Sequence, residues 1–255
     1  MSNATQDIER ALRALRLSGI IKTYQARAMQ AANGTMDHLE FLMAVLTDEL
    51  DRRQATQLDL RFKQSGLPER KSIESLDWSY NPKLPKRQIL ELATLKFIDA
   101  HEDALLLGPA GLAKSHVAKA LGLLAIKHGY KVIYREARDL CEEIFEARQL
   151  QTFPKLRDQL CKADALIIDD LFLRRMPAGA VEEIVDILMS RYEKRSTIVT
   201  SNRPIEDWAA QFGDAVATGP ILDRLMHHGH MLKFEGKSWR LKESAERAAR
   251  GRGGE

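Results

Sequence analysis

The sequence predicts an α/β protein, a parallel five-stranded sheet between helices, preceded by a small all-helical domain. Three observations carry that expectation. Up to Ser65 the apolar residues recur at helical spacing. From Gly66 to Lys86 three prolines and "DWSYNPKLP" describe an irregular linker. After Gln88, five short β-like runs, "DALLL", "YKVIYR", "DALIID", "STIVTS" and "HMLKFE", alternate with helical segments, the rhythm of a mostly parallel sheet. The expected boundaries are 1–66 for the helical domain, 67–88 for the linker, 89–241 for the α/β domain and 242–255 for a charged, Gly-rich tail.

In the helical part, Ile8, Leu12, Leu15 and Leu17 form an apolar stripe with Arg10, Arg13 and Arg16 on a neighbouring face. Gly19 and "NGT" at 33–35 read as breaks. Asp37 and Glu40 have the spacing of a capping box, opening a helix whose expected buried side is Leu39, Leu42, Met43, Leu46 and Leu50. Gly66 with Pro68 beyond it is the expected stop.

Composition bounds the function. The 255 residues carry a net charge of +3, a mildly basic balance that permits a polyanionic partner without demanding one. Bases and acids nearly cancel within the helical part, so Arg10, Arg13, Arg16, Arg52, Arg53, Arg61 and Lys63 read first as solvated helix faces. Apolar runs such as "ALLLG" are too short to cross a bilayer, and the N-terminus lacks the apolar middle of a secretory signal. Cys141 and Cys161 form neither a metal-spaced cluster nor a disulfide framework. A cytoplasmic chain with reduced thiols and no membrane partner is the expectation.

The chemistry concentrates in "LLLGPAGLAKSHVAKALG". Gly108, Pro109, Ala110, Gly111, Leu112, Ala113, Lys114 and Ser115 follow a buried strand and precede a helix ended by Gly129. Only Ala113 departs from the phosphate-loop pattern G-x-x-x-x-G-K-[ST]. In such a loop backbone N–H groups and a helix N-terminus face the phosphates of ATP. Lys114 would reach the β- and γ-phosphates, and the Ser115 hydroxyl would coordinate Mg²⁺. If position 113 needs a positive φ, the alanine Cβ costs about 1–2 kcal/mol, and a loss of that size in binding weakens affinity by roughly 5- to 30-fold.

"ADALIIDDLF" sets a second site. A buried run ends in Asp169, read as the Mg²⁺ carboxylate acting through water, and Asp170, read as the group that polarises the attacking water. "STIVTSN" ends in Asn202, which can orient that water if its strand lies between the other two. His227 and His228 have no third metal ligand at suitable spacing and read as a helix end or interface. Trp78 and Tyr80 read as pins for the linker, with packing near adenine as the alternative.

With these motifs, "LPKRQILELATLKFI", "LRLSGIIKTYQARA", "FLMAVLTDEL" and "ILDRLMHHGHMLKFEGKSWRLKE" make the chain resemble the IstB-type transposition helper ATPases. These are AAA+ proteins related to DnaA-like initiators and DnaC-like helicase loaders. The resemblance runs to about Lys242. It implies an AAA+ P-loop core, ATP hydrolysis with Mg²⁺, a homo-oligomer assembled with ATP on duplex DNA, and assistance to the transposase of the same insertion sequence. By its place in "LDRL", Arg224 is the implied arginine finger, acting at a neighbour's γ-phosphate; a guanidinium is always charged and offers a planar fork. Arg240 in "KSWR" is a candidate second sensor. Two features depart from the family pattern: Ala113 replaces the usual glycine, and "LFLRRMP" puts Arg174 and Arg175 in a segment that is otherwise more apolar. The alternatives that remain are a helicase-loader ATPase, a nucleotide-holding scaffold with little hydrolysis, and a P-loop kinase, for which no substrate lid is evident.

Overall fold

The computed structural model describes residues 3–34, 36–174, 176–212, 222–227 and 229–241. The expected tail, 242–255, lies outside the described residues. The chain divides after Arg61 into two compact units. The linker therefore belongs to the second unit.

The first unit contains α1 (Asn3–Ala14), α2 (Ser18–Ala32) and most of α3 (His38–Ser65). The capping box forms in full. Glu40 N–H donates to Asp37 Oδ1 and Asp37 N–H to Glu40 Oε2, both at 2.8 Å. At its other end α3 gives way to Gly66 at φ +77°, the left-handed stop that glycine supplies.

Two expectations fail here. Gly19 does not break a helix: the break falls at residues 15–17, with Arg16 at φ +57°, and Gly19 sits in the first turn of α2. There its N–H donates to Glu49 Oε2 at 2.6 Å, and a Cβ would stand 2.7 Å from the same oxygen. The leucine stripe of α3 does not face inward either. Leu39, Leu42, Met43, Leu46 and Leu50 are exposed, while Val45 and Glu49 are buried. The side of α3 turned to α2 is anchored by charge. Glu49 also accepts from Arg52 and Arg53, each at 2.7 Å, and Arg27 grips both oxygens of Asp48 at 2.9 and 3.1 Å. A carboxylate already committed to a close backbone N–H cannot turn outward without stranding that donor, so the leucines take the other face.

The second unit is built on a sheet of β1 (Asp103–Leu107), β2 (Val132–Glu136), β3 (Ala165–Asp169), β4 (Ser196–Ser201) and β5 (Gly229–Lys233). The spatial order is β2-β3-β4-β1-β5 and every pairing is parallel. These are the five runs expected from the sequence. Alternate residues serve opposite faces. Leu166 and Ile168 join the core beneath α7 (Ala137–Gln149), α8 (Phe153–Lys162) and α9 (Ala178–Arg191). Ile167 meets α6 (Lys114–Lys127) at Gly122, where a Cβ would come within 2.6 Å of its Cδ1.

Short helices α4 (Lys86–Leu92) and α5 (Lys96–Asp99) lead into β1, and α10 (Trp208–Phe212) follows β4. Buried Arg191 locks α9 to its neighbours. It donates to the carbonyls of Leu160, Ala163 and Ser196 and to Thr197 Oγ1. Burial pushes the nearby Asp103 carboxyl up to about 6. The irregular linker is anchored rather than loose: Leu67, Ile73, Leu76 and Leu84 are all buried.

Hydrogen bonds from Arg52, with further help from Arg53 and Gly19, hold the Glu49 carboxyl down at about 2, against burial. A depressed folded-state value means that its stabilising contribution is complete above about 4.5 and is lost as pH falls toward 2. Thermal melts of the full chain between pH 7 and pH 2.5 should show this loss, and Glu49→Gln should melt lower at pH 7 with a shallower acid dependence. A Glu49→Gln profile superimposable on wild type would refute this role.

Candidate nucleotide site

The loop between β1 and α6 is shaped by three residues at positive φ. Gly108 leaves β1 at φ +144°, its N–H bonded to Ser201 O on β4 at 3.2 Å. A Cβ there would lie 2.2 Å from Phe234 O, so only glycine threads between β4 and the chain beyond β5. Gly111 stands at φ +81°, and a Cβ would meet Ser238 Oγ at 2.2 Å. Its carbonyl accepts from Trp239 N at 2.9 Å, closing the segment after β5 over the loop.

Ala113, the residue that departs from the glycine pattern, adopts φ +68° and ψ +16° at the start of α6. The left-handed conformation is therefore retained with a side chain that pays for it. No side chain caps α6 and its first turn holds no acid, so the N-terminal N–H groups and the positive end of its dipole remain available to an anion.

Lys114 is 4% exposed, with Nζ donating to Pro109 O at 2.9 Å. Burial lowers its pKa, against the charges of Asp170 and Asp169. A cavity of about 620 Å³ opens over the loop. Its lining includes Gly111, Ala113, Lys114, Ser115, Asp170 and Arg240, so the loop and the carboxylate strand converge on one space as the motifs require.

Asp169 and Asp170 take different positions. Asp170 lines the cavity in a left-handed conformation, φ +55°. Burial and then the neighbouring Asp169 raise its pKa, the direction that suits a proton acceptor. Asp169 is 2% exposed and sits behind it. Tyr134 Oη donates to Asp169 Oδ2 at 2.7 Å, and Thr200 Oγ1 donates to Oδ1. Thr200 Oγ1 also accepts the Asp170 N–H at 2.9 Å. Burial, with Asp169 next, drives the Tyr134 hydroxyl far above its ordinary range, which keeps it a neutral donor.

Tyr134 and Thr200 escaped the sequence reading. A threonine inside the fully buried run "STIVTS" was a usable signal, because a buried hydroxyl needs a partner. Nothing in "YKVIYR" singled out Tyr134.

β4 lies between β3 and β1, the strand order that the expected role of Asn202 requires, but Asn202 is not among the residues that line the cavity. Its Oδ1 is buried without a hydrogen-bond partner among the described residues. Arg224, in helical residues 222–227, is exposed. Its guanidinium lies 6.0 Å from the Tyr192 ring centroid, with Nη1 3.6 Å from Met189 Sδ, and it does not line the cavity of its own chain. Arg240 does line it.

Tyr80 pins the linker, whereas Trp78 meets Lys86 within the linker itself. Tyr80 Oη donates to Ser238 O at 3.1 Å with its ring 5.2 Å from that of Trp239, while Lys86 Nζ stands 5.3 Å over Trp78. Asn81 Nδ2 adds a bond to Glu235 O at 2.9 Å. The linker also enters the cavity through Glu69, Lys71 and Asp77, and it holds His116 by way of Ser72 O at 2.9 Å. Arg174 lies on an adjacent groove shared with Asp170, whereas Arg175 and His228 lie outside the described residues. His227 is exposed on its helix.

Because the left-handed state of alanine costs about 1–2 kcal/mol, and glycine loses about 0.5–1 kcal/mol more chain entropy, Ala113→Gly should stabilise the fold by a net of about 0.5–1 kcal/mol. Thermal denaturation should register a rise of about 1–4 °C. A lower midpoint would show that the loop is not strained at this position.

Among the described residues, no helix is long and apolar enough to cross a membrane. The family described as IstB-like ATP binding protein matches residues 10–247. The chain is 34% identical to an insertion sequence IS21 putative ATP-binding protein of Pseudomonas aeruginosa, over 93% of this chain and 89% of that one. It is also 34% identical to an IS5376 putative ATP-binding protein of Geobacillus stearothermophilus, over 90% and 91%. Among solved structures it is similar in fold to a replication initiator DnaA bound to AMPPCP and single-stranded DNA, with TM-score 0.57, 21% identity, and coverage of 68% of this chain and 52% of that one. A DnaC helicase loader gives TM-score 0.51 at 17% identity, over 69% and 99%. The fold is that of an AAA+ P-loop protein, and the chain belongs to the IstB-like ATP-binding protein family associated with IS21-type insertion sequences.

Proposed function

We propose that this chain is an ATPase that assembles with ATP on duplex DNA as a homo-oligomer and assists the transposase of its insertion sequence. The observation that carries the enzymatic part is the convergence of Lys114, Ser115 and Asp170 on one cavity, backed by Asp169. The insertion-sequence context of its relatives supports the DNA and transposase part.

In this reading the backbone from Gly108 to Ser115 cradles the phosphates and the free N–H groups at the start of α6 take the negative charge. Lys114, already desolvated, trades its bond to Pro109 O for phosphate oxygens. Ser115 and Asp169 supply a hydroxyl and a carboxylate, hard oxygen donors that suit magnesium shared with phosphates and water. When bound, magnesium neutralises phosphate charge in the transition state.

Asp170 orients and deprotonates the attacking water, and Asn202 offers its unpaired Oδ1 to hold that water. Arg224, which does not line its own chain's cavity, serves a neighbouring subunit. Arg240 adds positive charge to the phosphates of its own chain. Ala113 tunes the site without removing a donor, which favours turnover over a purely nucleotide-holding role.

Steady-state ATP turnover with and without duplex DNA tests this. Turnover should rise with DNA and fall by at least roughly 100-fold in Asp170→Asn. Wild type without turnover, activated by Ala113→Gly, would sink the ATPase reading in favour of a scaffold. Mixing inactive Asp170→Asn with inactive Arg224→Ala should restore part of the activity, because mixed interfaces pair an intact carboxylate with an intact arginine. No recovery would remove Arg224 from the trans role. Tyr134→Phe should raise the magnesium concentration for half-maximal turnover several-fold while binding ATP normally without magnesium. An unchanged magnesium requirement would make Tyr134 merely a packing residue.

A further inference from the structure

The turn after the carboxylate pair holds two residues in a conformation that side chains rarely adopt. Asp170 stands at φ +55° and Phe172 at φ +61°. Such residues persist only where their surroundings fix them, and strain of this kind collects where a site needs one geometry. The fixing groups come from one short stretch at the end of β4. Asp170 N–H donates to Thr200 Oγ1 at 2.9 Å and Leu171 N–H to Thr200 O at 2.8 Å. Ser201 Oγ donates to Leu171 O at 2.7 Å, and Arg203 Nε donates to Phe172 O, also at 2.7 Å. Arg203 N–H in turn bonds Ser201 Oγ at 3.2 Å.

The Phe172 ring is anchored separately. It is buried and meets Trp208 edge-on, with centroids 5.3 Å apart. With the ring fixed in the core, the direction of the Phe172 carbonyl falls to Arg203, and a hydrogen bond from a guanidinium is among the stronger ones. Thr200 therefore sets the entry to the turn and Arg203 its exit.

We infer that Arg203 is a positioning residue for hydrolysis: by holding the Phe172 carbonyl it keeps the turn left-handed and Asp170 on the nucleotide cavity. Arg203 does not itself line that cavity, so it acts through the turn and not on the phosphates. Its effect on turnover rests on the ATPase reading above; its hold on the turn does not.

Two variants separate the donor from the charge. Arg203→Met removes both along a stem of similar length. Arg203→Gln removes the charge but keeps an N–H donor the same number of bonds from Cα as Arg203 Nε. Arg203→Met should lower kcat by roughly 10- to 100-fold, the cost of a misplaced reacting group, and leave the ATP KM unchanged. Arg203→Gln should retain most of the turnover. In an Asp170→Asn background, Arg203→Met should cost nothing further, because the group that it positions is already gone. Amide exchange followed by NMR, without nucleotide, gives the hold directly. In Arg203→Met the Asp170 and Leu171 amides should exchange at least about tenfold faster, with those of Ile167 and Ile168 in β3 unchanged.

An equal loss from Arg203→Met with and without Asp170, a glutamine variant as poor as the methionine one, or unaltered exchange at Asp170 and Leu171 would each overturn the inference. Wild type without any turnover would defeat the ATPase reading instead, and the exchange rates alone would then decide whether Arg203 holds the turn.

Discussion

One hydroxyl, that of Thr200, connects the parts of the candidate site. It donates to Asp169 Oδ1 and accepts the backbone N–H of Asp170, so a single buried atom on β4 sets both the carboxylate and the chain turn that follows it. This is possible only because β4 is inserted between β3 and β1. The same insertion puts Ser201 O within reach of Gly108 N–H at the mouth of the phosphate loop. The β4 strand thus registers the loop against the carboxylates. Tyr134, reaching from β2, completes the hold on Asp169 from the other side.

The loop itself is closed from a part of the chain remote in sequence. Phe234 and Ser238 press on Gly108 and Gly111 at distances that leave no room for a Cβ, and Trp239 N–H bonds the Gly111 carbonyl. Tyr80 and Asn81 of the linker fasten that segment in turn. Against this tight surround, Ala113 is the position where a side chain was accepted. Its cost is conformational and bounded at about 1–2 kcal/mol, whereas a Cβ at Gly108 would collide with a carbonyl that cannot move without disturbing the end of β5. The two kinds of glycine position in one motif are therefore not equivalent.

The first unit follows a different logic from the second. The sheet domain buries apolar strands between helices, and hydrophobic pattern alone suffices to orient them. In α3 the pattern misleads, because apolar residues occupy two sides of the helix. Glu49, bonded to Gly19 N–H and two arginines, determines which side turns inward. A buried charge with specific partners thus outranks a longer leucine stripe.

The five strands, the phosphate loop, the carboxylate pair, the capping box and the Gly66 stop were legible in the sequence. Each depends on local spacing, and local spacing is what a sequence displays. The same holds for the left-handed demand at Ala113, which the loop pattern states and the φ of +68° realises. Strand order, by contrast, was decided only by tertiary structure, and with it the place of Asn202. So were the Tyr134 and Thr200 clasp on Asp169, the closing segment at 234–239, the location of Arg224 outside its own cavity, and the outward turn of Leu39, Met43, Leu46 and Leu50. The clasp and the closing segment depend on partners far apart along the chain, 31 residues for Thr200 and Asp169 and 158 for Tyr80 and Ser238. No periodicity encodes such a pairing; it exists only once the sheet has brought the partners together.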